Sequence, residues 1–195
     1  EAASAGWQTP AGRPCRRRQC GAVRFGRGVW RRVTPSVDAF VGIGSNLDDP
    51  AAQVRRAIVA LDGIGESRCH VASGLYRNPP MGPADQPDYI NAVAWLRTGL
   101  SPLELLAALQ AIEADAGRRR QGPRWGPRPL DLDLLVYGQR VIDTPDLQVP
   151  HPGVTERAFV LYPFSEIDPH RIIPGEGSVE ALAGAVDGGA LQAIG

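Results

Sequence analysis

Two aspartates, Asp131 and Asp133, stand in an otherwise apolar run, LDLDLLVYG at 130–138, directly after an arginine-dense loop, GRRRQGPRWGPR at 117–128. Asp disfavours strands, and a carboxylate is costly to bury unpaired, so this run implies a compensating partner. In an extended chain the two side chains point the same way from Cα atoms ~7 Å apart. Like charges so placed repel unless a cation lies near them. Hard oxygen ligands without Cys or His suit Mg2+, which keeps several waters and takes substrate phosphates as further ligands. Arg118, Arg119, Arg120, Arg124 and Arg128 offer forked donors for phosphate oxygens. Carboxylates, Mg2+ and arginines together describe phosphoryl-transfer chemistry. An isolated D-x-D belongs more readily on a solvated edge strand, its charges paired with nearby arginines. The arginine loop directly upstream, and a polar strand face at 89–91, favour the metal–phosphate reading.

Those residues need elements to hold them. DAFVGIG, from Asp38, is a short apolar strand running into glycines. The next segment reads as a helix, with Asp49 as N-cap, Pro50 at its first position and Val54, Ile58 and Leu61 at helical spacing. RCHVASGLYRN (68–78) is extended and alternating, PPMGPADQP is a loop stiffened by prolines, and DYINAVAWLRT (88–98) is the clearest strand. SPLELLAALQAIEADAG follows as the clearest helix: Ser101 and Glu104 form a capping box, Pro102 opens it, Leu106, Leu109 and Ile112 or Glu113 face inward, and Gly117 ends it. The LDLDLLVYG strand closes the series. The order β-α-β-β-α-β is the ferredoxin-like plan, an α+β fold with an antiparallel sheet. Helices are further expected around 153–165 and 178–186.

Alternation along the strands divides the sheet into two faces. Ile90, Ala92, Ala94 and Leu96 share one face, as do Leu130, Leu132, Leu134 and Val136. Tyr89, Asn91, Val93 and Trp95 share the other, as do Asp131, Asp133 and Leu135. Helices on one side of the sheet give this asymmetry, so the face carrying Tyr, Asn and two Asp is the expected site. The GIG at 42–44 reads as a tight turn or as a place where a flat ligand approaches the backbone.

Composition narrows the classes. All 21 basic residues are arginine, which removes both the lysine-dependent Walker loop and the protein-kinase arrangement. Eight arginines precede residue 38, against the acids Glu1 and Asp38. Beyond that point 13 basic residues face 19 acidic ones, which disfavours a general nucleic-acid binder. Residues 1–37 show no strand or helix period and read as an unstructured Arg-rich extension, the alternative being an arm that touches RNA or anionic surfaces. Residues 38–195 read as the catalytic domain. Cys15, Cys20 and Cys69 fit neither a disulfide framework nor a zinc spacing, and no apolar run approaches a membrane span. A cytoplasmic setting is therefore expected.

The motifs GIGSNL (42–47), YRNPPMGPADQPDYINAV (76–93), RWGPRPLDLDLLVYG (124–138) and VPHPGVTERAFVLYPFSEI (149–167) occur in order. Through them the chain resembles the 6-hydroxymethyl-7,8-dihydropterin pyrophosphokinases of folate biosynthesis, from about Ala39 to Gly175. The resemblance implies transfer of the pyrophosphoryl group of ATP to the pterin hydroxymethyl group, leaving AMP. It implies two Mg2+ ions on Asp131 and Asp133, a pterin stacked between Tyr89 and Phe159, and Asn91 reading its polar edge. Backbone groups near Gly44, Asn78, Pro79 and Met81 would complete that pocket. Gln110, Glu113, Leu134, His151 and Arg157 match nucleotide-contacting positions, and Arg118, Arg120, Trp125 and Arg128 match a mobile catalytic loop. No general base is assigned, because positioning and charge neutralisation can carry this chemistry. A monomer is expected.

The chain departs from the family pattern in Asn78, where Thr is more usual, in the composition of 118–123, and in its N-terminal extension. Two rivals stand behind this reading. A metal-dependent enzyme acting on phosphodiesters would need a basic groove that an acidic domain does not advertise. A sheet stacking single-stranded RNA has no use for Asp131 and Asp133.

Overall fold

The computed structural model describes residues 35–83, 85–118 and 126–194, so most of the N-terminal extension lies outside it, as do Arg119, Arg120 and Trp125. The chain from Pro35 onward forms one compact unit. Its elements begin β1 (Val37–Ser45), α1 (Pro50–Asp62), β2 (Ser67–Ala72), β3 (Leu75–Asn78), β4 (Tyr89–Thr98), α2 (Pro102–Asp115) and β5 (Asp131–Tyr137). The C-terminal part adds β6 (Ile142–Asp143), β7 (Gln148–Val149), α3 (Ala158–Ile167), β8 (Ile172–Ile173), β9 (Gly177–Ser178), α4 (Val179–Ala185) and β10 (Gln192–Ile194). The main sheet runs β10-β3-β4-β1-β5, with β2 also on β4, and every pairing is antiparallel. This is the expected ferredoxin-like α+β order, with the extended segment 68–78 broken into β2 and β3 at Ser73–Gly74.

Local signals place the helices. The Asp49 side chain accepts from the Ala52 amide (3.2 Å) with Pro50 next in line, and Ser101 and Glu104 close their capping box. The buried stripe of α2 is Leu105, Leu109 and Glu113, one residue earlier at its start than the sequence pattern indicates. Both helices pack on one sheet face. Ala39, Val41 and Ile43 from β1, Ile90, Ala92, Ala94 and Leu96 from β4, and Leu132 and Leu134 from β5 meet Val54, Leu61, Leu105 and Leu109 there. Each fully buried Val, Leu or Ile among them contributes about 1.5–3 kcal/mol.

The opposite face is occupied at one end only. Phe40, Val93, Leu135 and Val136 pack under Val160 and Phe164 of α3 and Val179 of α4, making a second, smaller core. Phe40 stacks on Phe164 (4.5 Å between centroids) and on Trp95 (5.5 Å), so Trp95 is packing beneath the C-terminal part. Arg171 lies over both Phe40 and Trp95 and pairs with Asp38 and Asp168.

Two expectations need correction. Strand alternation puts Val136 with Leu134, yet Val136 lies in the second core and Tyr137 turns to the helix side. Pairing shifts between Phe40/Val41 on β1 and Val136/Leu134 on β5, so Leu135 is an extra, bulged residue, and a bulge reverses the faces beyond it. The helix expected from about 153 starts at Ala158, because Arg157 is extended (φ −102°, ψ 107°) and residues 152–156 form turns instead.

Candidate active site

The end of the sheet left uncovered by α3 and α4 forms a cavity of about 310 Å3. Its floor is β1. Gly42 and Gly44 face this side and add no side chain of their own; a Cβ would lie 3.3 Å from the Leu135 side chain at Gly42 and 2.9 Å from Asn91 Oδ1 at Gly44. Register fixes what flanks them: Gly44 lies between Asp131 on β5 and Asn91 on β4, and Gly42 lies beside Asp133. With neighbouring strands ~4.8 Å apart, the carboxylate row and the amide row stand ~10 Å from each other across a bare glycine.

Of the residues expected in a site, Gly44, Asn78, Met81, Tyr89, Asn91, Arg118, Arg128, Asp131, Asp133, His151, Arg157 and Phe159 all line this cavity. Pro79 does not line it, but its carbonyl accepts from the Asn78 side chain (2.7 Å). Gln110 is half-buried on α2, away from the cavity lining. The Leu134 side chain is packed in the helix-side core, 3 % exposed, and the bulged Leu135 reaches the cavity in its place. The sequence reading of Arg120 and Trp125 falls on residues outside the described ones.

The charges are interlocked. Arg118 reaches Asp131 Oδ1 (2.6 Å) and Arg128 reaches Asp131 Oδ2 (2.7 Å), so two guanidinium groups hold the two oxygens of one carboxylate. Arg118 also bonds Glu113, whose Oε1 accepts from the Leu132 amide (2.7 Å). Glu113 is thus an anchor for Arg118 and for the outer edge of β5. Burial pushes its carboxyl up, against the pull of the Leu132 N–H and Arg118. Asp133 lies 3.8 Å from His151 Nε2 and 3.9 Å from Arg157. Burial first, and the Asp131 charge second, push the Asp133 carboxyl up, while His151, Arg157 and Arg118 pull it back. The Asp133 side chain keeps 39 % of its surface open, so solvent tempers that shift. His151 Nδ1 accepts from the Gly153 amide (3.0 Å), leaving the proton of the neutral ring on Nε2, toward Asp133. Burial holds the His151 pKa below its usual value, with Asp133 opposing.

Tyr89 and Phe159 belong to the opposite wall, and Arg157, beside Asp133, reaches across to it. The Tyr89 hydroxyl donates to the Gly126 carbonyl (3.2 Å), and burial first among its causes raises its pKa. Arg157 sits over Phe159 (5.9 Å to the ring centre). A Cβ at Gly153 would fall 2.4 Å from Arg157 Nε, so glycine there leaves room for the guanidinium.

Sequence reasoning overlooked one organising residue. Asn46, 1 % exposed, takes the Arg128 amide on its Oδ1 (2.8 Å) and donates its own backbone N–H to the Arg128 carbonyl (3.2 Å). Its Nδ2 donates to the Pro87 carbonyl (3.3 Å) and Gln86 Oε1 (3.4 Å). Ser45 adds a bond to the Pro129 carbonyl (2.6 Å). One strand end thereby ties the arginine-bearing segment to the proline-rich loop. The signal was a polar pair, Ser45-Asn46, at the end of an apolar strand, where a buried polar side chain must find partners.

The donor set fits a hard divalent ion held jointly with phosphate. Among the described residues no group of three or more His, Cys, Asp or Glu converges on one point. The protein would supply two carboxylates, and oxygens of substrate and water the remainder, as Mg2+ prefers.

Comparison with known proteins shows the family. The family model described as 7,8-dihydro-6-hydroxymethylpterin-pyrophosphokinase matches residues 40–169. The 2-amino-4-hydroxy-6-hydroxymethyldihydropteridine pyrophosphokinase of Pseudomonas aeruginosa is 49% identical over 135 residues, covering 69% of this chain and 83% of that protein. The Haemophilus influenzae protein of the same name is 41% identical over 146 residues, covering 75% of this chain and 91% of that protein. Among solved structures, the Plasmodium falciparum HPPK-DHPS with STZ-DHP superposes with a TM-score of 0.62 at 12% identity, over 77% of this chain and 43% of that longer one. At that identity it shows the fold alone.

Proposed function

Because the chain belongs to the 7,8-dihydro-6-hydroxymethylpterin-pyrophosphokinase family, we propose that the glycine-floored cavity is where it performs that family's reaction, pyrophosphate transfer in folate biosynthesis. The observation that carries this reading is the shared cavity: one wall holds Asp131, Asp133, Arg118, Arg128, His151 and Arg157, and the other holds Tyr89, Asn91 and Phe159. The first wall suits polyphosphate and the second a flat, polar-edged ring.

ATP lies with its phosphates against the arginines and His151. The pterin lies between Tyr89 and Phe159, its polar edge on Asn91. The hydroxymethyl oxygen attacks the β-phosphorus, the bond from that phosphorus to the α,β-bridging oxygen breaks, and AMP departs with the electron pair. The hydroxyl proton passes to solvent. Asp131 and Asp133 would hold two Mg2+ ions, which would supply neutralisation of phosphate charge. Arg118 and Arg128, which pair with Asp131, are placed to share their donors with phosphate oxygens. Glu113 acts through Arg118, and Gln110 stands at the nucleotide side. The sheet residues fix the two substrates within reach, and that positioning supplies much of the rate. Arg120 and Trp125 are proposed to close over them, by resemblance alone. The enzyme works as a monomer on small molecules rather than nucleic acid. ATP as donor and a free Cys69 thiol suit the cytoplasm.

The test is incubation with ATP, Mg2+ and 6-hydroxymethyl-7,8-dihydropterin, with nucleotide products separated. AMP forms only when pterin is present, and Asp131→Ala and Asp133→Ala each lose at least about a hundredfold in rate. ADP as the product, or full activity in both variants, overturns the proposal.

A further inference from the structure

Asn78 and Asn91 are both buried side chains lining the cavity, one at the end of β3 and the other on β4. A side-chain amide has the same shape whichever way its oxygen and nitrogen point, so its partners decide its direction. Here they decide it without ambiguity. The Pro79 carbonyl can only accept, so the Asn78 atom 2.7 Å away is the donor Nδ2. The other Asn78 atom is then the acceptor Oδ1. The Asn91 atom bonded to it must be a donor, Nδ2. Asn91 Oδ1 therefore stands on the opposite side, over Gly44. A Cβ at Gly44 would lie 2.9 Å from that oxygen, and glycine leaves it bare. Among the described residues no donor is bonded to it.

We infer that Asn78 is a positioning residue for substrate recognition: it relays the polarity of the Pro79 carbonyl to Asn91 and so fixes which ring edge the cavity accepts. The inference rests on the pterin reading of the site and deepens it. Asn91 presents Oδ1 together with its second Nδ2 hydrogen, an acceptor beside a donor. The matching ligand edge is a ring N–H beside a ring carbonyl, the lactam edge of a 2-amino-4-oxo pteridine. A 2,4-diamino ring shows the reverse, an acceptor nitrogen beside an amino group, and fits only an amide turned by 180°. While Asn78 holds Asn91, that turn would set Asn91 Oδ1 against Asn78 Oδ1, and turning Asn78 too would set its oxygen against the Pro79 carbonyl. A site built for one hydrogen-bond pattern rejects its reverse strongly, because the buried groups are left unpaired.

Replacement at position 78 separates polarity from shape. A threonine hydroxyl can donate to the Pro79 carbonyl and accept from Asn91, which keeps the relay. Valine has the shape of threonine and neither capacity. The experiment is equilibrium binding of 6-hydroxymethylpterin and of 2,4-diamino-6-hydroxymethylpteridine, with a non-hydrolysable ATP analogue and Mg2+ present, to the parent chain, Asn78→Thr and Asn78→Val. The parent and the threonine variant prefer the 4-oxo ring by about tenfold or more. In the valine variant the freed amide turns to suit either ring, and the preference falls within about threefold. An Asn78→Ser and Asn78→Ala pair makes the same comparison if the valine chain does not fold. A valine or alanine variant that weakens both rings equally and keeps the parent's preference has lost support rather than polarity, and overturns the inference. So does a parent chain that binds both rings alike. A parent chain that binds neither ring and forms no pterin-dependent AMP instead brings down the proposed function on which the inference rests.

Discussion

Gly44 separates the two chemistries of the site, with Asp131 on one side of it and Asn91 on the other. Its lack of a side chain leaves Asn91 Oδ1 bare and the ring position empty. In Gly44→Ala the new methyl, 2.9 Å from that oxygen, forces the amide or the strand to shift. The Michaelis constant for the pterin then rises at least about tenfold while that for ATP changes little, as steady-state kinetics with each substrate varied will read. Glu113 works by a different route. It is 4 % exposed and serves two donors, the Leu132 amide and Arg118. Glu113→Ala leaves the amide unpaired and releases the arginine. Denaturant unfolding should show a loss of about 1–3 kcal/mol. Turnover should fall by more than either Michaelis constant rises, since Arg118 is asked to act on charge that develops during transfer.

Elements matter here through how they are fastened. Helix α3 carries Phe159 and is clasped to the sheet by Glu166, which takes the Tyr76 hydroxyl (2.9 Å) and the Gly74 amide (3.0 Å). Burial, with that hydrogen bond next, pushes the Tyr76 pKa up to about 12 from its usual 10.0. A hydroxyl whose pKa is raised on folding adds stability that is fully present below its unfolded pKa and is lost as pH rises through the folded one. The parent should therefore lose stability between pH 10 and 12. Tyr76→Phe lacks the bond from the outset, sits about 0.5–1.5 kcal/mol lower at neutral pH, and closes on the parent across that window. Urea unfolding at a series of pH values measures both arms. An equal gap at every pH would show that the clasp is not what the hydroxyl contributes.

At the scale of the molecule, the chain from Pro35 onward is two cores on one sheet, and the proposed site lies beside the smaller one. Phe40, Phe164 and Trp95 stack beneath Arg171, and that stack supports the helix that carries Phe159. Phe164 is fully buried. Phe164→Ala should cost about 3–5 kcal/mol in unfolding experiments. It should also raise the Michaelis constant for the pterin, because the ring platform at Phe159 loses its footing. A variant as stable as the parent would mean that the C-terminal part contributes little to the fold, against the packing described.

Much of this was legible in the chain because it is local. The capping box at Ser101 and Glu104, the Asp49-Pro50 helix start and the two-residue alternation of β4 depend on neighbours a few positions away. Alternation alone put Asp131, Asp133, Tyr89 and Asn91 on one face, and the sequence already set arginines beside the aspartates. What tertiary structure decided is whatever depends on partners distant in sequence. The bulge at Leu135 comes from pairing with β1, and it sends Val136 and Tyr137 to faces that alternation assigns the other way. The second core forms only when residues near 160–180 fold over β1 and β4. Asn46 gripping Arg128, Glu113 holding Arg118, and Asn78 directing Asn91 join segments separated by 13 residues or by as many as 82, except for the pair in α2 and its following loop. Sequence period says which face a side chain takes. Only the packed molecule says which other side chain meets it there, as Asn78 meets Asn91 and Asn46 meets the Arg128 backbone.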